Sequence, residues 1–233
     1  MKQLSLILIV FASFVIQAQT KAELTEHFKA YYKQMKSQGD AQGVINAMTH
    51  LNILEPSQKR LDTLAYIYVS ENRNLEALNT VGIEPDPNAS DMNVEVKAVA
   101  LKGVNQPARA VVFYEELFNR KPNPYLAYEV ADLMTQTQNL AGAKAKVEYG
   151  LINVKDDMKR AYYESQQPYE VPLKAALTYM KALVVFNMNQ TDNLDQAIGL
   201  LDEALAMAPN FRVAQLSKDA LAARKNTPVK EGE

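Results

Sequence analysis

Six residues between Ala98 and Pro122 recur elsewhere at a fixed step of 33 residues, which confines the chain to architectures built by stacking one small unit repeatedly. They are Ala98, Leu101, Ala110, Tyr114, Leu117 and Pro122. One step earlier stand Ala65, Tyr68, Ala77 and Val81, and two steps earlier Tyr32, Met35, Val44, Met48, Leu51 and Pro56. One step later stand Ala131, Met134, Ala143, Val147 and Gly150.

Each unit reads as two helices joined by a tight turn. Thr20 and Glu23 have capping-box spacing, and Leu24, Phe28, Tyr31, Tyr32 and Met35 follow at helical intervals up to Ser37. Gly39 and Asp40 end that helix and start a second, which carries Val44, Ala47, Met48 and Leu51 on one side and stops at Pro56. Ser57 predicts the cap of a helix running to about Glu71, and a shorter helix through Ala77 and Val81 ends at Gly82 and the Pro85-Asp86-Pro87 turn. Ser90 opens the third pair, and Pro107 is placed as the first residue of its second helix. Asn123 and Pro124 open the fourth, whose second helix spans about Leu140 to Val154.

The step then fails, because the next match to Ala143 is Ala197. Most of the excess lies in Lys155 to Val171, a stretch with tyrosines and prolines but no sustained helical period, which predicts an ordered, partly extended insertion. Beyond it an unusually apolar helix runs from Pro172 to Asn189, followed by a helix from Asn193 to Met207 and a last one from about Asn210 to Arg224 that covers the open end of the stack.

Paired helices at this period, with small residues, aromatics and a closing proline at these positions, resemble the tetratricopeptide repeat over about Glu23 to Arg224. The pattern has a packing rationale. Ala98 and Ala110 let the helices of a pair approach, while Tyr114 and Leu117 fill the seam to the next pair. The step is 33 rather than 34, Glu84 occupies a seam position, and Lys155 replaces the fourth closing proline. The resemblance implies an all-α, right-handed solenoid of about five helix pairs plus a C-terminal capping helix, with a concave groove that binds an extended peptide or partner surface and no enzymatic activity. The expected organisation is a signal peptide over 1–18, the repeat domain over 19–224 with its insertion at 155–171, and a tail over 225–233.

The repeat register assigns groove positions to Lys29, Lys33 and Lys36, then Asp62, Tyr66 and Val69, then Glu95, Val99 and Lys102. Tyr125, Tyr128 and Asp132 follow in the fourth pair, and Tyr179, Leu183 and Phe186 in the last. One end is basic and the other aromatic. The aromatic end is expected to carry affinity, since tyrosine is enriched and lysine depleted at interface hot spots, unless the insertion covers it. The lysines are expected to steer an acidic partner or to stand as ordinary solvated side chains. One subtype of the family grips a C-terminal carboxylate with Lys and Asn. Lys29 matches that Lys, but Lys33 stands where Asn is required and Met92 and Val96 replace basic residues, so that clamp is not expected.

The first twenty residues place Lys2 before a thirteen-residue apolar run from Leu4 to Ile16, with Ala18 ahead of Gln19. This is secretory signal anatomy, too short to span hydrocarbon, and predicts cleavage after Ala18 with no stable membrane insertion afterwards. With no cysteine, thiol catalysis, thiolate metal sites and disulfides are excluded, and a periplasmic or secreted bacterial location is expected. Twenty-five Lys and Arg against 27 Asp and Glu leave no positive excess for nucleic acid. His27 and His50 lack the neighbours of a metal site, and the adjacent pairs Glu115-Glu116, Asp156-Asp157 and Asp202-Glu203 point about 100° apart on a helix, so they cannot flank one bond. Ser57, Ser90 and Ser165 have no nucleophile elbow or base, and no cofactor-binding loop appears. Three readings remain: an interaction module for a protein or peptide of the cell envelope, a soluble subunit of an outer-membrane uptake or secretion assembly that holds a small ligand such as a glycan in a closed, polar-rimmed pocket at the tyrosine-rich end, or an enzyme of unrecognised type.

Overall fold

The 33-residue step has a backbone counterpart in a computed structural model that describes residues 20–164 and 167–226. The helix-to-helix turns of the first four pairs each hold one residue in the left-handed region: Gly39 (φ 70), Asn72 (φ 58), Asn105 (φ 56) and Gln138 (φ 63). In each, the following residue donates its N–H five residues back, as Asp40 to Met35, Arg73 to Tyr68, Gln106 to Leu101 and Asn139 to Met134. This left-handed termination satisfies the last carbonyls of one helix and turns the chain sharply enough for the next to fold back on it.

The helix pairs are α1 (Lys21–Gln38) with α2 (Ala41–Leu54), α3 (Gln58–Ser70) with α4 (Asn74–Val81), α5 (Asp91–Gly103) with α6 (Pro107–Arg120), and α7 (Pro124–Gln136) with α8 (Leu140–Asn153). After a two-stranded hairpin, β1 (Lys159–Tyr162) and β2 (Tyr169–Pro172), come α9 (Leu173–Met188) with α10 (Leu194–Met207), and then α11 (Arg212–Asn226). Each pair packs on the next, so the helices form a solenoid. The proposed signal segment and most of the tail lie outside the described residues, and α11 extends two residues past the expected boundary.

Side-chain capping explains five of the eleven helix starts among the described residues. Thr20 and Glu23 form the reciprocal capping box of α1, and Asp40, Ser90, Asn123 and Asn139 cap α2, α5, α7 and α8 through their side chains. Ser57 departs from expectation. It precedes α3 but makes no side-chain cap, and instead donates its own N–H to Asn52 Oδ1.

The alanines of the repeat are the close-contact points that the spacing requires: Ala65, Ala77, Ala98, Ala110, Ala131, Ala143, Ala197 and Ala204 are fully buried. The insertion does not interrupt the stack. At Gly150 on α8, a Cβ would stand 2.6 Å from Leu177 Cδ2, so glycine is what lets α9 dock against α8 as the next unit in line. One continuous core runs from Ala65 to Ala214, with a smaller cluster of Val44, Ile45, Met48 and Leu64 holding the first pair.

Lys155 to Val171 was expected to be partly extended, and its strands pair antiparallel with Arg160 opposite Val171 and Tyr162 opposite Tyr169. The hairpin folds over α7 and α9. Val171 is buried, and Leu173 N–H closes the hairpin on Met158 O.

Candidate interaction groove

The first helices of successive pairs line one side of the solenoid, and their spacing is uneven. α3 packs against α5 and α7 packs against α9, but α5 and α7 make at most marginal backbone contact. An open cleft of ≈ 420 Å³ lies between them, floored by Tyr114 and Leu117 of α6. Its walls are Glu95 and Val99 from α5 and Tyr125 and Glu129 from α7, with Asp91, Arg120 and Lys121 at its mouth. On the other side of Glu95 and Val99 a smaller depression of ≈ 210 Å³ continues onto Tyr66 and Val69 of α3. Tyr66 and Tyr125 are 47% and 40% exposed, large for tyrosines of a packed helix, and they mark the two ends of this surface.

Beside the cleft runs an ionic network that joins α5, α7 and β1. Lys102 Nζ lies 2.5 Å from Glu129 Oε2 and 3.1 Å from Asp132 Oδ2, and Arg160 donates to Glu129 Oε1 at 2.7 Å. Burial pushes the Glu129 carboxyl up, but Lys102 and Arg160 outweigh it and hold the group below the ordinary carboxylate range. The Arg160 guanidinium also stands over the Tyr128 ring, 3.9 Å from its centroid, and the hydroxyls of Tyr128 and Tyr162 are 3.1 Å apart.

This places several sequence-assigned groove residues under the chain's own cover. Tyr128 is 4% exposed beneath the hairpin. Tyr179 packs on the fully buried Phe211, which also meets Tyr162, and its hydroxyl accepts from Ser217 of α11 at 3.5 Å. Phe186 is half-buried with the Arg224 guanidinium of α11 over its ring, and Leu183 is half-buried. The tyrosine-rich end is thus filled by Tyr162, Phe211 and α11, where the small-ligand reading called for a cavity. Burial pushes the Tyr162 hydroxyl up to about 12, as befits a ring inside the protein.

Asp62 also departs from its assigned position. It is 4% exposed and ties α3 to α5, accepting from Gln58 Nε2, Ser90 Oγ and Asn93 Nδ2 at 2.9, 2.7 and 2.8 Å. Burial raises its pKa, and these three donors more than offset that. At the other end Lys29 pairs with Glu26 on its own helix at 2.9 Å, Lys33 is exposed, and Lys36 stands 5.9 Å over Tyr32. His27 and His50 both flank Phe28, His50 stacked on it at 4.2 Å.

Of the assigned positions, the structure brings Tyr66, Val69, Glu95, Val99 and Tyr125 onto one accessible surface and sets Lys102 and Asp132 in the ionic network beside it. Sequence reading missed Glu129 and Arg160. Glu129 falls between register positions, and Arg160 sits in the aperiodic insertion, so no spacing rule reached either.

No protein-family model matches the sequence, and no curated protein matches it. Solved structures do resemble it in fold. A tetratricopeptide repeat protein from Parabacteroides merdae superposes with a TM-score of 0.64 at 15% identity, covering 87% of this chain and 74% of the other. YrrB, a TPR protein with an unusual peptide-binding site, gives 0.64 at 12% identity over 86% and 98% of the two chains. The MamA protein gives 0.57 at 12% identity over 89% and 98%. With the four matching turns and the buried alanine seams, these likenesses establish that the chain has the tetratricopeptide-repeat fold.

Proposed function

We propose that the chain is an exported, non-enzymatic interaction module that holds a protein or peptide of the cell envelope on the surface formed by α3, α5 and α7. The observation that carries this reading is the open cleft between α5 and α7, flanked by the exposed rings of Tyr66 and Tyr125 on a rigid stack. Exposed tyrosines on fixed helices bury large area at small entropic cost when a partner arrives. A peptide-binding site in YrrB, which shares the fold, is consistent with it. Export rests on the Met1 to Ala18 segment, and the periplasm or the exterior follows from it.

Site-specific photo-crosslinking tests the surface. A photoreactive residue at position 125 is expected to capture a discrete partner in envelope extract, while one at Ile152, 81% exposed elsewhere on the solenoid, is not. Equal capture at both positions overturns the assignment. Intact-mass measurement from the native host tests export, with Gln19 expected as the mature N-terminus and a mature species retaining Met1 counting against it.

A further inference from the structure

The α5/α7 cleft contains one carboxylate without a cation, and we propose that it receives a lysine or arginine side chain of the bound partner. This deepens the groove reading and rests on it. The other acids of the cleft are committed: Glu129 to Lys102 and Arg160, and Asp91 to Arg120 and Lys121. Glu95 is exposed and forms no ion pair among the described residues.

A second observation points the same way. Tyr114 on the floor is only 7% exposed, and its hydroxyl, which makes no hydrogen bond among the described residues, is the part of the side chain that keeps contact with the open cleft. Burial, with Glu129 and Glu95 nearby, pushes this phenol well above its ordinary pKa, so it stays neutral and offers its lone pairs to an incoming donor. Between this floor and Glu95, the apolar side chain of Val99 and the ring of Tyr125 suit a long aliphatic stem carrying a cationic head. An acidic side chain fits poorly, because it would meet Glu95 and Glu129 while each cation nearby already has a carboxylate partner.

The test is an array of randomised eleven-residue peptides whose central residue is Arg, Lys, Gln or Glu, probed with the full chain. Arg- and Lys-centred peptides are expected to dominate the bound set. For the strongest binder, Glu95→Gln is expected to weaken affinity about fivefold, a deficit that shrinks as salt rises, and Tyr114→Phe about threefold. Glu95→Gln is isosteric at an exposed site, so it reads binding without disturbing the fold. If Gln- or Glu-centred peptides bind as tightly, or Glu95→Gln binds like wild type while Tyr125→Ala still weakens binding, the basic-ligand inference falls and the groove reading stands. Binding that Tyr66→Ala, Tyr125→Ala and Glu95→Gln all leave unchanged sinks both. A dimer in sedimentation that Tyr125→Ala abolishes would assign the cleft to a second copy of the chain and overturn the inference.

Discussion

Tyr125 and Tyr128 stand one turn apart on α7, yet one faces an open cleft and the other lies beneath Arg160 and Tyr162. The same contrast holds for the spaces beside α7. Toward α9 the groove is closed by the hairpin and by Phe211 and α11, whereas toward α5 it is left open over Tyr114 and Leu117. The register position that is exposed as Glu95 in the third unit is likewise buried as Tyr128 in the fourth. What decides it is whether a non-repeating segment arrives to cover it, since a ring that finds apolar neighbours within its own chain gains burial energy at no cost in association.

The largest expected effect tests the covered side. Tyr128→Ala removes a ring, a hydroxyl contact and the platform for Arg160, and is expected to cost about 3 kcal/mol in urea unfolding. A loss below about 1 kcal/mol would mean that the hairpin does not rest on α7. Next, Ala110→Leu overpacks the fully buried seam of α5 and α6 beneath the open side, at about 2 kcal/mol, whereas Gln138→Leu at an exposed turn is nearly neutral. Equal shifts in thermal melts would show that the open side lacks a close-packed core.

The ionic network gives a smaller effect with a pH signature. Glu129→Gln leaves Lys102 and Arg160 without their shared carboxylate and is expected to cost about 1 kcal/mol at neutral pH, discounted for the partial exposure of the three side chains. The folded-state pKa of Glu129 lies below the ordinary 4.5, so its contribution is fully present above that value and is lost as pH falls through the lower folded one. Wild type and variant are thus expected to converge below pH 4.5, and a gap that persists unchanged into acid would detach the effect from this carboxylate. The smallest effect completes the pair: Tyr125→Ala, at a 40% exposed position, is expected to change stability by less than about 0.5 kcal/mol while weakening partner binding.

Helix positions and register were legible because they are set locally and repeated. The left-handed turns at Gly39, Asn72, Asn105 and Gln138, the side-chain caps at Thr20, Asp40, Ser90 and Asn123, and the buried alanines each follow from residues within one unit. The groove was legible only as a set of positions. Asp62 sits at a groove position by register, but its carboxylate is consumed by Ser90 and Asn93 of the next unit, donors that lie 28 and 31 residues away.

The sequence by itself determined the repeat, the helix pairing and the seams, because a 33-residue period forces like faces to stack and a small residue must stand wherever two helices touch. Only the tertiary structure decided which groove residues remain free. Arg160 reaches Glu129 across 31 positions, Tyr162 reaches Tyr128 across 34, and Phe211 of the final turn seals Tyr179. Those contacts join an aperiodic segment to a periodic one, so no pattern within the chain encodes them, and they leave the opening between α5 and α7 uncovered.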